Sequence, residues 1–196
     1  VSTPHLILAH DGPVPIDILE AFERAVAADG LTLQREARPA PRTAASMTLL
    51  AFMGVGLILT KAYFEDPPPT PGPAHAAMLD AALRELGQRL MAIGLRRAPA
   101  QPPVDATGRF SLLLSVWTDR DADSRFKMLI PAELSQDGVN AALSAYLAFA
   151  HAYHRGDLDP EDLEVLAGAR PLAGVVLLAY DPASATLQPV DPFEGR

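Results

Sequence analysis

Two histidines three residues apart, His151 and His154, stand near the end of the segment Gln136 to Arg155, with Asp157 and Asp159 just beyond. On a helix, positions i and i+3 share one face. Two imidazoles and one carboxylate so placed are a ligand set for a divalent metal such as zinc. His151, His154 and Asp157 are therefore the candidate metal ligands. The HAYH pattern lacks the glutamate that supplies the general base in an HExxH motif. The structural alternative is a C-terminal histidine favoured by the helix dipole, with a second beside it.

Three other groups of residues invite chemistry and are explained more simply. Asp119, Asp121 and Asp123 alternate as in a calcium loop. An EF-hand then needs glycine at its sixth position and glutamate at its twelfth, and this chain has Ser124 and Ile130 there. A solvated hairpin loop accounts for the same acids. His10-Asp11-Gly12-Pro13 follows a short apolar run and resembles a general-base pair at a strand end. Neighbouring residues on an extended chain point opposite ways, and Asp-Gly-Pro is a strong turn signal. Arg155-Gly156-Asp157 spells an adhesion tripeptide, yet Gly156 is accounted for as a helix stop. The serines occupy no nucleophile elbow and no glycine-rich phosphate loop occurs. No cofactor is expected, and no catalytic residue is assigned.

Composition narrows the functional classes. The chain has 196 residues, 49% of them hydrophobic, which is enough to bury a real core. A net charge of −8 repels phosphate backbones, and no basic face with interleaved aromatics appears, so nucleic acid is not an expected partner. The absence of cysteine removes disulfides, thiolate catalysis and thiolate metal sites. The first residues, VSTPHLILAHDG, lack the basic and long apolar regions of a signal peptide. The expected location is cytoplasmic, with inner-membrane association as the alternative.

The elements that would position these residues follow from hydrophobic period. Residues 5–37 read as strand, helix, strand, with Ile16, Leu19, Phe22 and Val26 on the inner helical stripe. Thr43 to Thr60 is the longest uncharged apolar run and reads as a central, very apolar helix extending over about 44–64. Its length lies at the bottom of the range for a membrane span, about 17–25 residues. Residues 74–93 form an amphipathic helix stopped by Gly94. Arg109 to Thr118 and Arg125 to Pro131 form a hairpin, with the lone Trp117 in its core. A helix over 136–155 is capped by Ser135, and a short one starts at Pro160 and stops at Gly168. Gly174 to Tyr180 and Thr186 to Val190 form a second hairpin.

The expected fold class is α+β: two β-hairpins and an N-terminal strand-helix-strand unit, packed with the central helix and further amphipathic helices. The domain division is 1–65, a Pro-rich linker over 66–73, and 74–196, which can also form one compact domain with 1–65. Three functional readings follow, with an enzyme the least favoured. The first is a non-enzymatic domain that binds a protein partner or associates with itself. The second is a membrane-associated protein inserting the 43–60 helix as an effector or anchor. The third is a metal-dependent hydrolase using His151 and His154. No small-molecule ligand is indicated by any motif.

Overall fold

A computed structural model describes residues 3–10, 14–37, 55–65, 73–97, 109–119, 121 and 125–191. Strand β1 (Leu6–His10), helix α1 (Ile16–Ala28) and strand β2 (Leu33–Ala37) form the expected strand-helix-strand unit. β1 and β2 lie parallel, Leu6 opposite Leu33 and His10 opposite Ala37. Strand β3 (Val55–Thr60) follows, then the short helix α2 (Lys61–Glu65) and the long helix α3 (Pro73–Arg97). Strands β4 (Phe110–Asp119) and β5 (Arg125–Pro131) make the first hairpin. Helices α4 (Gln136–Arg155) and α5 (Pro160–Ala167) then lead to a second hairpin of β6 (Val176–Asp181) and β7 (Thr186–Pro189).

The seven strands among the described residues join one mixed sheet in the order β2-β1-β3-β4-β5-β6-β7. The pairs β1/β2, β3/β4 and β5/β6 are parallel; β1/β3, β4/β5 and β6/β7 are antiparallel. Hairpins therefore account for only part of the pairing. Three times the chain leaves a strand, crosses as a helix and returns parallel, which is what a parallel pair requires. The class is α+β, as expected. Residues 66–72 of the expected linker lie outside the described residues. β3 and β4 come from opposite sides of that linker and pair along their length, from Val55 opposite Leu114 to Thr60 opposite Asp119.

Alternation along each strand separates two faces. On one face Leu6, Leu8, Val55, Leu57, Leu59 and Met128 share a core with Phe22, Leu83, Leu143 and Tyr146 of the helices. α3 lies between α1 and α4 across this face. The opposite face carries a smaller cluster around Leu129, Leu172, Val175 and Leu177, and another of Ala9 with Ile58. Trp117 packs against both.

The expected helix over 44–64 is corrected at 55–60, which is strand β3; residues 44–54 lie outside the described residues. The physical reason is position. β3 sits inside the sheet between β1 and β4, and all six of its residues, on both faces, are buried. A strand buried on both sides reads as a continuous apolar run, with no period to distinguish it from a buried helix. Only α2 preserves the end of the expected helix. This also removes residues 55–60 from any membrane-inserted helix. Among the described residues no helix is long and apolar enough to cross a membrane.

α3 also differs, running through Gly94 to Arg97 instead of stopping there. Within it Gly87 is buried against the sheet: a β-carbon at this position would meet Leu114 at 3.4 Å and Leu143 at 3.5 Å. α4 matches expectation closely. The Ser135 hydroxyl accepts from the Gly138 amide at 3.2 Å, and Gly156 closes the helix at φ 73°. Only residues without a β-carbon adopt that left-handed conformation without cost.

Candidate functional site

The histidine pair lies on the last turns of α4, where it meets α2. The Tyr63 hydroxyl and His151 Nε2 share a hydrogen bond of 2.9 Å. Tyr63 is buried, and that desolvation raises its pKa well above the ordinary phenol value. It stays a neutral phenol, able to donate to the imidazole nitrogen. The His154 ring packs on Phe64, centroids 3.8 Å apart, and the edge of Tyr63 meets Phe64 at 5.0 Å. The third expected ligand, Asp157, is turned elsewhere: its carboxylate accepts from Arg155 Nε at 2.7 Å. The structure thus gathers His151 and His154 into an aromatic cluster with Tyr63 and Phe64. Among the described residues no three His, Cys, Asp or Glu side chains come together as a metal-binding group.

The other sequence candidates separate in space or fall outside the described residues. Asp119 pairs with Arg125 at 2.9 Å across the first hairpin, Asp121 is exposed, and Asp123 lies outside the described residues. His10 ends β1 between Ala37 and Val55, and its Nδ1 is buried with no hydrogen-bond partner among the described residues. Asp11 lies outside the described residues.

Two features have no counterpart in the sequence reading. The first is Lys127, which is 1% exposed at the middle of β5. It lies between Trp117 of β4 and Leu177 of β6 in the sheet register. Its Nζ is 5.0 Å from the Trp117 ring centroid, a cation–π distance. The indole Nε1 donates to Ser115 Oγ at 3.2 Å, which fixes the ring plane under the ammonium. Burial pushes the Lys127 pKa down to about 7. The available signal was a single lysine inside the apolar strand RFKMLIP.

The second feature surrounds α5. This helix is capped by Asp159, whose Oδ1 accepts from the Asp162 amide at 2.8 Å, and starts with Pro160. Leu166 is its half-buried anchor, while Leu163 and Val165 are 48% and 41% exposed. A cleft of about 290 Å³ runs between α4, α5 and the β6/β7 hairpin, floored by Phe149, Leu166, Leu178 and Leu187. Val165 and Asp162 line it. A second cleft of about 270 Å³ is lined by Tyr153, Gly156, Leu158 and Leu163. Leu158 belongs to both, so the two meet at the segment leading into α5. Each lies just below the usual small-molecule range of about 300–1,000 Å³. Asp162 is the one charged residue lining either cleft among the described residues. The arrangement suits apolar side chains of a larger partner better than a reaction centre.

No protein-family model, curated protein or solved structure matches this chain.

Proposed function

We propose that this protein is a non-enzymatic interaction domain that binds another protein. The supporting observation is α5, an amphipathic helix that leaves Leu163 and Val165 in solvent beside two adjoining apolar clefts. Scattered exposed apolar residues need no explanation, but Leu163 and Val165, two positions apart on α5, each line one of the clefts, and exposed apolar side chains set in a groove favour a binding surface. The chemistry-bearing residues favour structure over turnover: His151 is held by Tyr63, Asp157 by Arg155 and Asp119 by Arg125.

The test is site-specific photo-crosslinking in the cells that make the protein, with a photoreactive residue at position 163 or, as a control on another helix, at 78. Met78 is also exposed, on α3. Discrete adducts to one protein from position 163 that are absent from position 78 are the expected result. Absence of discrete adducts from 163 counts against the reading.

A further inference from the structure

Charge is distributed unevenly around the α5 clefts. Residues 156–196 contain eight acidic residues and two arginines, so six of the chain's eight net negative charges lie in its last 41 residues. Asp157, Asp159, Glu161, Asp162 and Glu164 fall on α5 and its approach, with no lysine or arginine between Arg155 and Arg170. Those two arginines are already engaged, Arg155 with Asp157 at 2.7 Å and Arg170 with Asp191 at 3.2 Å. Asp159, Asp162 and Glu164 are exposed. Asp162 lines the larger cleft, and Asp159 and Glu164 stand exposed on the same short helix and its cap, so the charge beside the clefts is negative.

We infer that the α5 clefts receive a basic amphipathic helix of a partner protein, apolar residues seated beside Leu163 and Val165 and lysines or arginines facing the acids of α5. This rests on the interaction reading above and names the class of partner. Two clefts that share Leu158 offer neighbouring seats for successive apolar residues, at i and i+3 or i+4, of a ligand helix. The acids of α5 select the sign of the flanking charge and speed encounter with a basic partner. They also disfavour a second copy of this chain on the same face: an isologous contact would set α5 against α5, acids opposite acids. An anionic membrane surface and nucleic acid are repelled in the same way.

The experiment uses the full chain and a fluorescein-labelled peptide of leucine and lysine, its leucines spaced i, i+3, i+4, i+7. Binding is followed by fluorescence anisotropy at low and at physiological salt. Comparison peptides are a scrambled version of equal composition and a version with glutamate for lysine. Comparison proteins are the double variant Leu163→Gln/Val165→Gln and the variant Met78→Gln, all at exposed positions. The expected result is saturable binding that weakens with salt, falls on the order of tenfold or more in the double variant, and is unchanged in Met78→Gln. Equal binding of the scrambled or glutamate peptide overturns the inference, as does unchanged binding by the double variant or no binding at all. Crosslinks from position 163 without peptide binding leave the interaction reading standing and overturn this partner class. Sedimentation as a dimer that dissociates in the double variant also overturns it, in favour of self-association.

Discussion

The ammonium of Lys127 stands 5.0 Å above the Trp117 ring, in the middle of a sheet and almost wholly shielded from water. A cation–π contact in such a place contributes about 2 kcal/mol, and taking an ammonium group out of water costs more than that. The balance explains why the proton is held weakly, at about pH 7, when an ordinary lysine holds it to about 10.5.

This relationship makes stability depend on pH with a definite sign. Between about pH 7 and 10.5 the unfolded chain keeps the Lys127 proton and the folded chain releases it. The unfolded state binds more protons, so the Lys127 contribution to stability rises with pH across that window, by up to about 1.4 kcal/mol per pH unit. Below pH 7 the penalty is fully present and flat. Tyr63 and Tyr146 act oppositely in a higher range. Burial raises both phenols, so above about pH 10 the unfolded chain loses protons that the folded chain keeps, and stability falls. Urea unfolding across pH 6–10 should show the rising limb, and Lys127→Met should flatten it. A limb of equal slope in the variant would refute the assignment.

Tyr146 fixes α4 to the first hairpin. Its hydroxyl is fully buried and donates to the Phe126 carbonyl at 3.0 Å. Tyr146→Phe should cost about 1–2 kcal/mol, because the carbonyl loses a donor in a fully buried site. The expected readout is a lower urea midpoint with an unchanged m-value. An unchanged midpoint would mean that the carbonyl is satisfied elsewhere.

The Tyr63–His151 bond should behave more mildly, since His151 is only half-buried. Tyr63→Phe keeps the ring against Phe64 and removes only the hydroxyl. The expected loss is about 0.5–1.5 kcal/mol, measured by the same denaturation. A loss of several kcal/mol would show that this bond organises the α2–α4 junction.

Two glycines predict opposite outcomes for the same substitution. Gly87→Ala adds a β-carbon at ordinary contact distance inside α3 and gains helix propensity, so it should stabilise by up to about 1 kcal/mol. Gly156 has open space for a β-carbon but a φ of 73°, so Gly156→Ala should destabilise by about 1 kcal/mol. Thermal melts of the two variants should move in opposite directions.

Leu163→Gln and Val165→Gln should leave stability within about 0.5 kcal/mol of the parent, because neither side chain fills the core. A large loss in thermal melts would show that these residues hold α5 in place and are not free to receive a partner.

Local chemistry was enough to specify much of this chain. Ser135 and Gly156 bracket α4, Asp159 and Pro160 start α5, and Leu19, Phe22 and Val26 face α1 inward, because caps and helical period act within a few residues. Ile16, expected on the same stripe, opens the helix and is 58% exposed. The two hairpins were legible for the same reason. Residues 55–60 were not: their apolar character records burial on both faces, and whether that burial is as strand or helix depends on β1 and β4 arriving on either side. The sites divide in the same way. The spacing of His151 and His154 placed them on one helical face, but Tyr63, 88 residues from His151, determines what His151 contacts. Lys127 over Trp117 and the clefts beside α5 also depend on which segments the sheet order brings together. Contacts between residues distant in the chain are made by tertiary packing, which leaves no period in the sequence to read.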